Sequence, residues 1–166
     1  MPPASSVIDF ENLASWNIEG LTESKLMEVQ CTMHDRGIGV MCIQETHRAN
    51  SYHFITEMGF LVILSGTSQG VTKSAGVGFL IAPECRHAVV SFKQASSRMA
   101  ALKLRARGGK IGLISAYAPH SGYPFPDRQQ FYSQLVDFVR NVGTHGAKLI
   151  CGDFNARLTR RLPGEE

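Results

Sequence analysis

Nowhere in the 166 residues does an apolar run approach the roughly 20 residues needed to span a bilayer, so no membrane helix is expected. The first residues, Met1-Pro2-Pro3-Ala4-Ser5-Ser6, lack both a basic segment and an apolar core and do not read as a secretory signal. Charge is scarce: Asp, Glu, Lys and Arg make up 19%, below the roughly one quarter usual in globular chains. The net charge is only +3, without the basic excess of a dedicated nucleic-acid-binding tail. That balance permits a phosphate-bearing partner without arguing for one. The four cysteines, Cys31, Cys42, Cys85 and Cys151, contain no C-x-x-C pair, which argues against a zinc framework. Each lies in or beside an apolar run and reads as a buried thiol in a reducing compartment. There is no internal repeat, low-complexity tract or linker. What remains is a soluble intracellular protein of one domain, with no membrane partner.

Hydrophobic residues make up 43%, enough for a packed core. They fall in short runs: residues 13–18, 39–44, 60–65, 76–82, 88–92, 99–105, 110–117 and 148–151. Most are bounded by Gly, Pro, Ser or Asn, and length and punctuation together predict strands. Two segments keep the helical period. Leu21, Leu26, Val29 and Met33 share a face, with Thr22 as N-cap and Gly37 as the stop. Phe131, Leu135, Phe138, Val139 and Val142 share another, with Pro126 in the first turn and Gly143 as the stop. A weaker helix is expected between Thr46 and Met58. Arg107-Gly108-Gly109 predicts a hairpin joining the runs on either side. Mixed helices and strands with an antiparallel pair give an α/β or α+β class rather than an all-parallel sheet.

Polar clusters sit at the ends of these runs, where chain emerges from a core and sites tend to form. They are Ser15-Trp16-Asn17-Ile18-Glu19-Gly20, Cys42-Ile43-Gln44-Glu45-Thr46, Tyr117-Ala118-Pro119-His120 and Cys151-Gly152-Asp153-Phe154-Asn155-Ala156. Singly, each reads as a cap, a turn or a solvated loop. Jointly they supply carboxylate and amide oxygens, the ligands a hard ion such as Mg²⁺ takes. They also supply an Asp to orient a water, and a Tyr and an Asn to donate to phosphate. Those are the parts of a metal-assisted attack on phosphorus.

The ordered set Trp16-Asn17, Gln44-Glu45-Thr46, Gly76-Val77-Gly78-Phe79, Tyr117-Ala118-Pro119-His120 and Gly152-Asp153-Phe154-Asn155-Ala156 resembles the endonuclease/exonuclease/phosphatase superfamily. Within it, the last two motifs are most similar to endonuclease domains of non-LTR retrotransposons and craniofacial-development-protein-like relatives. The resemblance implies a four-layer α/β sandwich of two mixed, mostly antiparallel sheets. It makes Glu45 the metal carboxylate and places Asn17 beside it in the metal shell. Tyr117 contacts the scissile phosphate, Asp153 orients or activates the attacking water, and Asn155 holds the phosphate. Arg98, Glu19 and His120 are accessory candidates, each weighed against a solvated or structural role. His47 falls on the rim of such a site. His34, His53, His87 and His145 have no motif context and read as surface or packing residues.

Ser-Asp-His, the motif with which such relatives end, does not occur. The sequence is therefore expected to hold residues 13–166 of such a domain without its C-terminal strands, after a poorly ordered lead over residues 1–12. An incomplete second sheet would leave apolar faces open to self-association. The implied function is a Mg²⁺-dependent DNA endonuclease (Mn²⁺ as substitute), or a fragment of one with weak activity alone. The alternatives are an inert remnant or phosphate-binding module, and a phosphatase or phosphodiesterase of the same fold acting on a lipid or RNA. A retroelement nuclease would be nuclear. Arg157, Arg160 and Arg161 are too few for a localisation signal and read as a solvated basic loop.

Overall fold

Thr22 ends an extended segment with φ −83° and ψ 169°, and its hydroxyl accepts the Lys25 amide, which starts helix α1 (Glu23–Arg36). Gly37 closes it at φ 64°, a left-handed turn that costs glycine nothing. The computed structural model describes residues 8–66, 75–143 and 145–156. The lead before Ile8, the basic cluster at Arg157, Arg160 and Arg161 and the acidic end lie outside the described residues. The strands are β1 (Leu13–Asn17), β2 (Val40–Gln44), β3 (Tyr52–Ile55), β4 (Leu61–Ser65), β5 (Val77–Ile81), β6 (Val89–Ser96), β7 (Met99–Ala106), β8 (Gly109–Tyr117) and β9 (Lys148–Asp153). A second helix, α2 (Phe125–Arg140), joins β8 to β9.

The strands form two sheets, ordered β1-β2-β5-β4-β3 and β6-β7-β8-β9. The pairs β1–β2 and β8–β9 are parallel, each joined by a helix, and every other pairing is antiparallel. Alternate side chains of a strand point to opposite faces. Val40, Cys42, Phe79 and Ile81 from the first sheet thus meet Leu102, Leu104, Leu113 and Tyr117 from the second in one core. Met41, Ile43, Val62, Leu64 and Leu80 turn the other way, against Val29 and Met33 of α1. Met99, Ala101, Ile114 and Ala116 do the same toward Phe131, Leu135 and Phe138 of α2. The layers run α1, sheet, sheet, α2. Burial of each large apolar side chain contributes about 1.5–3 kcal/mol. No described helix is long and apolar enough to cross a membrane.

Four expectations need correction. The segment between Thr46 and Met58 forms strand β3 instead of a helix. Tyr52 and Phe54 stack at 5.9 Å, and the strand pairs with β4 from Tyr52↔Leu64 to Ile55↔Leu61. Helix α2 stops at Asn141, whose amide donates to Asp137 and Phe138, before Gly143 is reached. The lead is held from Ile8 onward: this residue is 3% exposed, donates to the Arg105 carbonyl and packs in the inter-sheet core. Finally, only Cys42 is a fully buried thiol; Cys85 and Cys151 are half-buried, and Cys31 is exposed on α1.

Candidate active site

The two parallel pairs carry the site. In β1 and β2 the residues facing the second sheet are Leu13, Ser15 and Asn17 beside Val40, Cys42 and Gln44, in register as Leu13↔Val40, Ser15↔Cys42 and Asn17↔Gln44. In β8 and β9 the matching stripe is Leu113↔Leu149, Ser115↔Cys151 and Tyr117↔Asp153. Polarity therefore rises along both stripes in step, from an apolar layer through a Ser/Cys layer to Asn, Gln, Tyr and Asp at the carboxyl ends. Gln44, only 1% exposed, stitches the middle layer: its amide nitrogen donates to Ser115 Oγ at 3.0 Å and Ser15 Oγ at 3.2 Å. Ser115 donates in turn to the Ile43 carbonyl at 3.2 Å. A fully satisfied polar bridge inside a core fixes how the two sheets register.

Asn17 is the keystone. Its side-chain amide donates to Glu45 Oε1 at 2.8 Å and to Asp153 Oδ2 at 2.9 Å, so one NH₂ group draws together carboxylates from the two sheets. Its own oxygen accepts the Glu19 amide at 3.3 Å. Asp153 Oδ1 accepts the Asn155 amide at 2.8 Å, and Asn155 Nδ2 donates to the Ala118 carbonyl at 2.8 Å. His47 Nε2 lies 3.4 Å from Glu45 Oε2. Glu19, Glu45, His47 and Asn155 all adopt positive φ, between 46° and 54°. Such backbone costs about 1–3 kcal/mol per residue and concentrates at functional sites. Glu45 needs it because the chain must turn sharply out of β2 for the carboxylate to reach Asn17. Gly152 allows the opposite wall: a Cβ there would land on the Ala116 carbonyl.

Tyr117, 6% exposed, has its phenol pushed up to about 12. Burial is the main cause, followed by the hydrogen bond to Glu45 and its charge, with Arg98 opposing. The hydroxyl thus stays protonated at neutral pH. Arg98 lies between two rings, 5.0 Å from the Tyr117 centroid and 5.1 Å from that of Tyr123, and donates to Tyr123 Oη at 3.0 Å. His120 meets Tyr123 edge-on at 4.8 Å, and its Nδ1 accepts the Gly122 amide at 3.0 Å. Asn17, Gln44, His120, Asp153 and Asn155 line an open cleft of about 660 Å³.

Residues 14–163 match the model of the Endonuclease/Exonuclease/phosphatase family. The chain belongs to this family. It is 27% identical over 142 residues to the Transposon TX1 uncharacterized 149 kDa protein of Xenopus laevis, covering 82% of this chain and 10% of that protein. The fold is similar to AP endonuclease LMAP from Leishmania major, with TM-score 0.65 and 15% identity over 91% of this chain and 61% of that one. It is also similar to the endonuclease domain of TRAS1, a telomere-specific non-LTR retrotransposon, with TM-score 0.58 and 17% identity over 87% and 60%. TDP2 from C. elegans gives TM-score 0.58 and 18% identity over 90% and 50%. The chain thus spans a tenth of the transposon protein and between half and 61% of these three structures. At such identities the structural likeness carries the fold alone.

Within this endonuclease/exonuclease/phosphatase chain, the residues singled out in the sequence converge with one exception. Asn17, Glu45, Tyr117, Asp153 and Asn155 meet at the ends of β1, β2, β8 and β9, with Arg98, His47 and His120 around them. The exception is Glu19, which is exposed and contributes its backbone amide, not its carboxylate. Tyr123 was not singled out, because a lone tyrosine in a loop carries no spacing signal; its role appears only once Arg98 is seen against it. Gln44 and Ser115 were likewise unremarked as a pair, being 71 residues apart.

Among the described residues no three of His, Cys, Asp and Glu converge as a metal cluster. The donor set nevertheless fits a hard divalent cation through the carboxylate oxygens of Glu45 and Asp153, which the Asn17 NH₂ group holds together. Two carboxylates are gathered on one amide, and among the described residues no lysine or arginine forms an ion pair with either.

Proposed function

We propose that this chain is a divalent-metal-dependent phosphodiesterase domain that cuts DNA, with Glu45, Asn17, Tyr117, Asp153 and Asn155 as its working residues. The observation that carries the reading is the Asn17 amide held between Glu45 and Asp153, with the neutral phenol of Tyr117 against the same carboxylate. Two anions beside a protonated donor, with Asp153 and Asn17 lining the open cleft, suit a phosphodiester only if a cation offsets their charge. Glu45, with Asn17 beside it, would hold Mg²⁺ or Mn²⁺, which supplies Lewis-acid stabilisation of charge on the phosphoryl oxygens.

The protein's own groups do the rest. Asp153, fixed by the Asn17 and Asn155 donors, keeps unused lone pairs on both oxygens and accepts the proton of the attacking water. Tyr117 turns its single hydroxyl proton from Glu45 to a non-bridging phosphate oxygen when phosphate binds. Asn155 has spent one amide hydrogen on Ala118 and turns the other to the same phosphate. Arg98 and Tyr123 keep the Tyr117 ring in place. The P–O3′ bond breaks as the water bonds to phosphorus, and the departing oxygen takes a proton from solvent in the open cleft, leaving a 3′-hydroxyl and a 5′-phosphate. DNA as substrate is supported by the likeness to a transposon protein and by the similar fold of a retrotransposon endonuclease domain.

The test is nicking of supercoiled plasmid by the purified chain, with Mg²⁺ and with EDTA, beside Glu45→Gln and Asp153→Asn. The expected result is Mg²⁺-dependent nicking that falls by at least about a hundredfold in each variant, because the residues act as one unit. Nicking that survives EDTA, or no nicking by a chain shown to be folded by circular dichroism, would overturn the reading.

A further inference from the structure

One layer beneath the site, Cys42 of β2 and Cys151 of β9 face one another across the two sheets. Strands β2 and β9 pack directly against each other there. Cys42 is fully buried in the inter-sheet core, and Cys151 packs against that core and is half-buried. Ser115, the register partner of Cys151, reaches the carbonyl of Ile43, the residue after Cys42, at 3.2 Å, and both thiols belong to the same packed cluster. The registers already described place Ser15 beside Cys42 and Ser115 beside Cys151, so the whole layer is small side chains, which lets the sheets approach. Glu45 follows Cys42 by three residues and Asp153 follows Cys151 by two.

We propose that Cys42 and Cys151 are an oxidisable pair, joined as a disulfide by hydrogen peroxide, and that the bond switches the site above them off. The regulatory half of this proposal rests on the phosphodiesterase reading; the disulfide itself does not. The partly exposed Cys151 sulfur attacks one peroxide oxygen, the O–O bond breaks, and the departing hydroxide takes the thiol proton as water, leaving a sulfenic acid. The Cys42 sulfur then attacks the Cys151 sulfur. The S–O bond breaks, hydroxide leaves with the Cys42 proton as a second water, and the S–S bond forms. Two thiols are oxidised by two electrons and one peroxide is reduced to two waters. Bonding β2 to β9 at this layer draws the sheets together under Asn17 and displaces Asp153 from Glu45. A shift of about 1 Å in such a site costs on the order of a hundredfold in rate.

The experiment treats the full chain with hydrogen peroxide, alkylates the remaining thiols and maps the digest without reduction by mass spectrometry. The expected product is a Cys42–Cys151 cross-linked peptide, removed by dithiothreitol, with Cys31 and Cys85 alkylated. In Cys42→Ala and Cys42→Ser the cross-link is lost and Cys151 is trapped as a dimedone adduct. Absence of the cross-link, or peroxide linking Cys151 to Cys31 or Cys85, would overturn the proposal whatever the activity. Plasmid nicking before and after peroxide is the second arm. Loss restored by dithiothreitol in the wild type, but absent in Cys151→Ser, supports the switch; nicking unchanged by a formed cross-link overturns it. A chain that forms the cross-link but never nicks would instead count against the phosphodiesterase reading and leave the pair standing.

Discussion

Replacing Asn17 by alanine removes the one group among the described residues that hydrogen-bonds both carboxylates of the site. Its amide makes two hydrogen bonds to ionised oxygens, at 2.8 and 2.9 Å. Bonds to charged groups contribute about 1.5–3 kcal/mol each net of their exchange with water, and a half-buried pair belongs at the lower end, giving about 3 kcal/mol. For a domain of this size 1 kcal/mol corresponds to about 2–4 °C, so Tm is expected to fall by roughly 6–12 °C in EDTA. Asn17→Asp is the sharper companion. It replaces a donor with a third negative charge, so it should destabilise more than alanine in EDTA and recover most of the loss in millimolar Mg²⁺. Thermal melts followed by circular dichroism decide both. An alanine variant within about 1 °C of wild type, or an aspartate variant indifferent to Mg²⁺, would refute the idea that Asn17 holds the two halves of a cation site together.

Tyr117 should ionise near pH 12 in an absorbance titration at 295 nm, in a step that Tyr117→Phe removes. Because its folded-state pKa lies above the ordinary 10, the stability it contributes is present below that pH and lost as pH rises toward 12; Tyr117→Phe should remove this alkaline limb. Gln44→Leu should cost about 1–3 kcal/mol in urea denaturation by leaving the buried Ser115 hydroxyl without the donor it accepts from, while exposed Ser15 turns to water, and adding Ser115→Ala should recover part of that, since an orphaned partner is worse than none. If the double variant is weaker than the single by the full cost of Ser115→Ala alone, the bridge is not a coupled unit. Gly152→Ala should destabilise by about 1–3 kcal/mol through the clash with the Ala116 carbonyl, measured the same way, and lower nicking further than its loss of stability explains.

Most of this architecture was legible where local signals agree. Thr22 and Gly37 bracket α1 because capping is decided by residues a few positions apart. The hairpin of β7 and β8 pairs Ala106 with Gly109, as the Gly-Gly step suggested. Strand β3 was not legible, because Tyr52 to Ile55 is too short for its period to speak, and its state is decided by the distant β4. The stop of α2 moved to Asn141 because a side chain that bonds back to the Asp137 carbonyl at 2.8 Å ends a helix as well as a glycine does. The site residues were readable as separate motifs, each at a strand end. What could not be read was their coupling: that Asn17 would bond Asp153 as well as Glu45, that Arg98 would find Tyr123, or that Cys42 and Cys151 would share a layer. These contacts depend on how two sheets dock, and no window of sequence contains both partners.

The Asn17–Asp153 bond joins residues 136 positions apart. Its closure is therefore among the most non-local events in the molecule, and non-local contacts form late. Neither sheet alone carries the site, since the first holds Asn17 and Glu45 and the second Asp153 and Asn155. During synthesis the cluster stays unassembled until β9 settles beside β8, long after the first sheet has been made. A partly folded chain therefore presents no joined Asn17–Glu45–Asp153 group, and the appearance of that group marks the moment at which the two sheets dock.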